Sequence, residues 1–183
     1  MRNASKALAN TSYAVLGLLS FGEELSGYEI RKEATALNFF YWSPAQSQIY
    51  SELRRLETKN YVISRKVEQE GKPNKQMYKI TDAGLKELQH WLTNEAVENT
   101  VMKHPMLFKL FFAHLTSPEI LIEQLSNFIT QSKEHLAQLA IVQEYVEIDD
   151  KNPYQIHVLN WGEQHYQAEI ASAEKLLEQL KKL

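Results

Sequence analysis

The chain has 183 residues, 44% of them apolar, with 20 Lys and Arg against 23 Asp and Glu and a formal net charge of −3. That length suits one large domain or two small ones, and the composition is that of an ordinary globular protein. The absence of cysteine excludes disulfides and thiolate metal sites, and no window approaches the roughly 20 consecutive apolar residues of a membrane span.

The first predicted helix runs from about Thr11 to Ser20, capped by Asn10 or Thr11, with Tyr13, Val15, Leu16 and Leu19 on its apolar face. Its apolar run is interrupted by Gly17 and Ser20, and no A-x-A cleavage site follows. It therefore reads as a core helix of a cytoplasmic protein rather than an export signal. Ser26 and Glu29 form the capping box of a second helix, with Tyr28, Ile30 and Leu37 as its buried side. The aromatic cluster Phe39 to Trp42 then precedes Ser43-Pro44, a cap followed by a proline in the first turn, which opens a third helix. Ile49, Leu53 and Leu56 give that helix one buried stripe.

Lys59-Asn60 ends it, with Asn60 suited to the left-handed conformation. Two strands follow, Val62 to Val67 and Gln76 to Ile80, joined by a loop rich in turn residues, Gly71-Lys72-Pro73-Asn74. Thr81-Asp82-Ala83-Gly84 caps a fourth helix carrying Leu85, Leu88, Trp91 and Leu92. Residues 93–104 are polar and read as a linker. From Pro105 the chain is helical: one helix holds MLFKLFFAHL, and Thr116-Ser117-Pro118-Glu119 is a stop and restart. A long helix follows to about Ile148, with Leu121, Leu125, Phe128, Ser132, Leu136, Leu139, Val142 and Val146 at spacings of three and four. A last helix places Leu159, Gly162, Tyr166, Ile170, Ala173, Leu177 and Leu180 likewise.

The predicted fold is mainly α. Residues 1–92 form an α+β winged helix-turn-helix domain with a two-stranded wing, residues 93–104 a linker, and residues 105–183 an all-helical, coiled-coil-like dimerisation domain. Two long amphipathic helices and a short one leave apolar surface for a second copy of the chain. Leu159, Tyr166, Ile170, Leu177 and Leu180 are the candidate dimer contacts. Charge divides with the domains. Residues 1–92 carry 13 Lys and Arg against 10 Asp and Glu, whereas residues 93–183 carry 7 against 13. The basic half is the one with the helix–strand–loop–strand pattern.

A helix entering the major groove exposes short polar side chains near its N-terminus while its apolar stripe holds it to the domain. Ser43, Gln46, Ser47 and Tyr50 fall away from the Ile49–Leu53–Leu56 stripe and are candidate base readers. Arg54, Lys72 and Lys75 are candidate phosphate ligands, and Arg2 and Lys6 a basic arm. The bland alternatives are a solvated helix face, hairpin solubility residues, and pairing of Arg54 and Arg55 with Glu52 and Glu57. The six His residues show no metal-ligand spacing, and no nucleophile or nucleotide-binding motif occurs. The expectation is no enzyme, no metal and no cofactor. Phe39 to Trp42, Tyr154 and Trp161 read as core, with a ligand pocket as the alternative.

The segments AVLGLLS, SGYEI, SQIYSELRRLETKNYV and YKITDAG resemble those of PadR-type transcriptional regulators. HPMLFKLFFAHL and NPYQIHVLNWGEQHYQAEIASAEKLLEQL are similar to the long C-terminal helical domain of the subgroup that includes virulence-gene activators. The resemblance implies a winged-helix homodimer on a partly palindromic double-stranded operator, with repression as the expected outcome. It also implies control by a small aromatic effector such as a phenolic acid or a planar drug. The rival expectation is a winged-helix and coiled-coil interaction module without DNA binding.

Overall fold

The computed structural model describes residues 8–36, 46–69, 71, 74–97, 104–145 and 153–182. The chain divides into two compact units, residues 1–98 and 99–183. In the first, α1 (Asn10–Leu19) is followed by β1 (Leu25–Ser26), α2 (Gly27–Ala36), α3 (Gln46–Thr58), β2 (Val62–Val67), β3 (Lys75–Ile80) and α4 (Asp82–Asn94). Neither expected cap starts α1: Asn10 already belongs to the helix, and the extended residue before it is Ala9, which has no capping side chain. The capping box of α2 forms as expected. The Ser26 backbone N–H donates to the Glu29 carboxylate at 2.8 Å, and the Glu29 N–H donates back to Ser26 Oγ at 3.2 Å.

The core of this unit joins Val15, Leu16 and Leu19 of α1, Ile30 of α2, the stripe Ile49–Leu53–Leu56 of α3, and Val62, Tyr78 and Leu88. Burying one such aliphatic side chain contributes about 1.5–3 kcal/mol, so the three-residue stripe is what fixes the rotation of α3 about its axis. Tyr28, expected inside, is 65% exposed. It sits two positions before the buried Ile30 of α2, about 200° around the helix, so the helical period turns it outward. Leu37 lies outside the described residues.

The turn after α3 is a Schellman motif. Asn60 takes φ 59°, its N–H donates to the Glu57 carbonyl, and the Tyr61 N–H donates to the Leu56 carbonyl, both at 2.9 Å. The two wing strands pair antiparallel from Val62 opposite Ile80 to Val67 opposite Lys75. The sheet has a third strand that the sequence reading missed: β1 pairs with the other edge of β3, Leu25 opposite Tyr78 and Ser26 opposite Met77. A two-residue strand is too short to show a period in sequence.

The end of the wing is locked to its beginning. The Thr81 N–H donates to the Tyr61 carbonyl at 3.0 Å. Its hydroxyl donates to the Asn60 carbonyl at 2.7 Å and accepts the Gly84 N–H at 3.1 Å as the N-cap of α4. On α4, Glu87 accepts from the Tyr13 and Tyr61 hydroxyls at 3.1 and 3.4 Å. Trp91 stacks on Tyr13 with ring centroids 4.5 Å apart. Burial first, and the neighbouring Glu87 carboxylate second, push the Tyr13 hydroxyl up to about 12.

In the second unit α5 (Pro105–Phe111) passes into a 3-10 turn (Ala113–Leu115), followed by α6 (Pro118–Tyr145) and α7 (Gln155–Leu180). The single helix expected over MLFKLFFAHL is interrupted at Phe112, whose φ −103° and ψ 17° leave the helical region. Helices α6 and α7 pack as an antiparallel hairpin. Lys133 pairs with Glu174 at 2.7 Å, and Gln143 reaches Asn160 at 3.3 Å. Their facing stripes, with Leu121, Leu125 and Ile129 against Ile170, Ala173 and Leu180, form a second core closed by Met106 of α5. Between the units, α4 runs two residues into the expected linker, and residues 98–103 of that linker lie outside the described residues. Among the described residues, no helix is long and apolar enough to cross a membrane.

Gly84 is where backbone approaches backbone: a Cβ there lies 2.1 Å from the Tyr61 carbonyl oxygen. Gly84→Ala is therefore expected to destabilise the first unit by about 1–3 kcal/mol. Gly17→Ala, in α1 with nothing within 4 Å of its Cβ, is expected to be neutral or to stabilise by up to about 1 kcal/mol. Urea unfolding followed by circular dichroism separates the two.

Candidate nucleic-acid interface

Because Ile49, Leu53 and Leu56 are fully buried, the opposite row of α3 is turned to solvent: Ser47, Ser51, Arg54 and Thr58 are exposed. Ser51 and Thr58 hydroxyls donate to carbonyls of their own helix, at 2.8 Å to Gln48 and 2.9 Å to Arg54. Arg54 Nε donates to the Tyr50 carbonyl at 3.3 Å, so its guanidinium lies on the helix surface. Arg55 pairs with Glu52 at 3.6 Å. Gln46 is the first residue of α3. Of the expected contacts, Ser47 and Arg54 are exposed on α3, and Tyr50 and Lys75 line one cleft, whereas Ser43 and Lys72 lie outside the described residues, as do Arg2 and Lys6.

Tyr50 is half-buried and presses on the start of α2. A Cβ on Gly27 lies 2.4 Å from a Tyr50 ring carbon, so the glycine of SGYEI permits the crossing of α2 and α3. Beyond this contact an open cleft of about 410 Å³ separates α3 from the wing, lined by Tyr28, Tyr50, Gln69, Asn74, Lys75 and Gln76 among others. Its lining is polar and aromatic.

Two ion pairs cross from the wing to the α2 side. Lys75 Nζ lies 2.7 Å from Glu29 Oε1, and Arg65 donates through Nε and Nη2 to Glu24 Oε2 at 2.8 and 2.5 Å. The Lys75 ammonium, and then the Ser26 backbone and hydroxyl donors, hold the Glu29 carboxyl down at about 2. Arg65 likewise holds Glu24 below the usual carboxylate range. The sequence reading identified Glu29 as a cap but missed it as a partner of Lys75, and missed Glu24 and Arg65 altogether. The 46 positions between Lys75 and Glu29 leave no local signal, because their contact depends on β1 joining the sheet.

In the second unit the expected dimer contacts Leu159, Tyr166, Ile170 and Leu180 are buried, and Leu177 half-buried, within the chain itself. The apolar side chains left in solvent are others: Phe108, Phe111, Phe112 and Leu115 are all more than half exposed, Phe111 to 80%. Tyr154 and Trp161, expected in a core or a pocket, are 73% and 76% exposed. They sit at the start of α7, one on the turn before it and one on the outer face of the hairpin. The Phe39–Trp42 cluster lies outside the described residues. His104, at the entry to α5, meets Glu169 at 3.1 Å and packs on the edge of Phe128. Among the described residues, no three His, Asp or Glu side chains converge as metal ligands.

A helical domain that turns a polar helix row outward beside a β-hairpin, continued by a helical hairpin, defines a winged-helix protein with an appended helical domain. The comparisons make the class specific. The pattern of the PadR-like family of transcriptional regulators matches residues 15–90, and that of the virulence activator alpha C-terminal family matches residues 102–181. The negative transcriptional regulator PadR of Bacillus subtilis is 39% identical over 108 residues, 58% of this chain. That match spans 59% of the length of the relative.

The crystal structure of Bacillus subtilis PadR in complex with operator DNA is similar at a TM-score of 0.82 and 26% identity, covering 94% of this chain and 98% of that one. The same protein in complex with p-coumaric acid gives a TM-score of 0.73 at 26% identity, covering 93% and 98%. The Vibrio cholerae virulence activator AphA shares the fold, with a TM-score of 0.73 at 24% identity over 94% and 99%. Residues 15–90 form a PadR-like transcriptional regulator domain, and residues 102–181 a virulence activator alpha C-terminal domain. Both the matching family and the Bacillus subtilis relative are transcriptional regulators.

Because the folded Glu29 carboxyl lies at about 2, below its ordinary value of 4.5, its contribution to stability is fully present above about pH 4.5. It is lost as the pH falls toward 2. Glu29→Gln is expected to cost about 0.5–1 kcal/mol at pH 7 after solvent screening of this partly exposed pair. The difference from the parent chain should shrink as pH falls from 4.5 to 2.5, read by thermal unfolding at each pH.

Proposed function

We propose that this regulator is a cytoplasmic homodimer that binds a partly palindromic operator and represses transcription. The observation that carries the reading is the outward row of α3, clear of the core and bordering the wing. In it Ser47 reads or positions on base edges and Arg54 neutralises a phosphate, joined by Tyr50 at the cleft and by Ser43 and Gln46 earlier in the sequence. Lys72 and Lys75 give the wing its phosphate contacts. Two such helices related by a two-fold axis enter successive major grooves, with half-sites about 34–36 Å apart or a multiple of that. The operator complex of the Bacillus subtilis relative supports this reading and disfavours that of an interaction module without DNA binding.

The second unit supplies the pairing. Its internal seam is already filled, so the surface offered to a second copy is the exposed apolar set of α5 and the 3-10 turn: Phe108, Phe111, Phe112 and Leu115. Leaving such a cluster in water is unfavourable at about 25 cal/mol per Å². A small aromatic effector is the proposed control, on the strength of the p-coumaric acid complex of that relative.

Arg54→Ala and Lys72→Ala are each expected to weaken binding to the chain's own promoter and to flatten the slope of log K against log salt by up to about one unit. Lys72→Ala should act equally across sequences. Unchanged affinity and slope in both variants sinks the DNA-binding surface. Phe111→Glu is expected to shift sedimentation velocity from dimer toward monomer; a variant that sediments as the parent overturns the pairing surface.

A further inference from the structure

The cations of the wing strands are not all free to meet a phosphate. Strand alternation and the register place Arg65, Lys75 and Lys79 on one face of the sheet, with Met77 between the two lysines and opposite Arg65. The residues that flank the cationic face from the other side are acidic. Glu24 stands just before β1 and takes Arg65, and Glu29 stands in the first turn of α2 and takes Lys75. Glu24 also feels the charge of Lys79. The arrangement is one of position: pairing of β1 with β3 carries both carboxylates to the wing.

Lys75 has a second neighbourhood. It lines the cleft between Tyr50 of α3 and the wing, where a DNA backbone passes if α3 lies in the adjacent groove. A carboxylate oxygen 2.7 Å from its Nζ occupies the place that a phosphate oxygen takes in a Lys–phosphate contact, with the same charge sign and a similar bond length. The pair is about one-third exposed on each side, at 31% and 36%. An ion pair this exposed is worth little and exchanges readily. Glu29 does not depend on Lys75 for its own satisfaction, since Ser26 donates to it twice, through its N–H and its hydroxyl, at 2.8 Å each.

We propose that Glu29 is a built-in competitor for the DNA backbone, holding Lys75 until a phosphate in the cleft beside Tyr50 displaces it. The proposal rests on the DNA-binding reading above. In its terms the wing of the free protein has part of its charge masked. Binding at Lys75 exchanges one anion for another and gains less than a free lysine gains. Glu29 thereby lowers affinity for any duplex and leaves base reading by α3 to set the preference.

The test uses the full chain, a random-sequence duplex and a promoter duplex, and fluorescence anisotropy between about 50 and 200 mM salt. Glu29→Gln is expected to bind both duplexes roughly two- to fivefold more tightly at low salt. Its slope of log K against log salt should steepen by up to about one unit. Adding Lys75→Met should abolish that gain, a non-additive pair. Ser26→Ala, which weakens the start of α2 without freeing Lys75, controls for loss of fold: it should lower the melting temperature and leave the slope unsteepened. Weaker binding by folded Glu29→Gln, an unchanged slope, or the same gain with Lys75→Met present overturns the competitor. If the parent chain binds neither duplex, the DNA-binding reading falls and the proposal with it; if the parent binds and only Glu29→Gln behaves as the parent, the competitor alone is lost.

Discussion

Strand β3 is hydrogen-bonded along both edges, to β2 on one side and to β1 on the other, and the architecture of the first unit follows from that. Ser26 is the joint. Its backbone lies in β1 opposite Met77, while its N–H and hydroxyl engage Glu29 at the start of α2. One buried residue thus fastens a sheet edge to a helix terminus. The wing is consequently not a loose hairpin beside a helical domain but the middle and far edge of a sheet whose near edge opens α2. Helix α3 is seated on the same base through the contact of Tyr50 with Gly27 and through the fully buried Ile49, Leu53 and Leu56.

The other end of the wing is held with equal economy. Asn60 turns left-handed, Tyr61 offers its carbonyl to Thr81, and Gly84 comes so close to that carbonyl that no side chain fits. The residues of the TDAG segment answer separate needs at one point: Thr81 caps α4 and Gly84 permits contact. Glu87 and Trp91 then bring the Tyr13 hydroxyl and ring of α1 to the same place. The spacing between α3 and the wing is thereby set by backbone hydrogen bonds and close packing, which tolerate little displacement. Pre-set spacing suits a surface that must match the fixed geometry of a duplex.

Electrostatics on this surface is local rather than global. A chain with net charge −3 can still meet DNA, since its basic residues concentrate in the first unit. Even there the Arg65 and Lys75 charges are shared with Glu24 and Glu29. Surface pairs of this kind stabilise the fold only weakly, yet each determines whether a cation is available to an approaching polyanion. The second unit separates packing from assembly in a similar way. The stripes of α6 and α7 are consumed in their own hairpin, and a different apolar set, centred on Phe111, remains in water.

Much was legible in the sequence. Periodicity located the α-helices of the described residues to within a few positions, though not the break at Phe112, and turn residues located the two wing strands. Capping chemistry identified Ser26, Glu29, Asn60 and Thr81 in their roles, because these signals act within one turn of chain. The outward row of α3 was legible for the same reason: once Ile49, Leu53 and Leu56 face inward, helical geometry sends Ser47 and Arg54 outward. What tertiary structure alone decided lies at long separation. It paired the two residues of β1 with β3, joined Lys75 to Glu29 and Arg65 to Glu24, and chose α6 as the partner of the α7 stripe. A stripe in sequence states that a face will be covered without naming the cover, and a charge states nothing of the partner that folding brings within 3 Å.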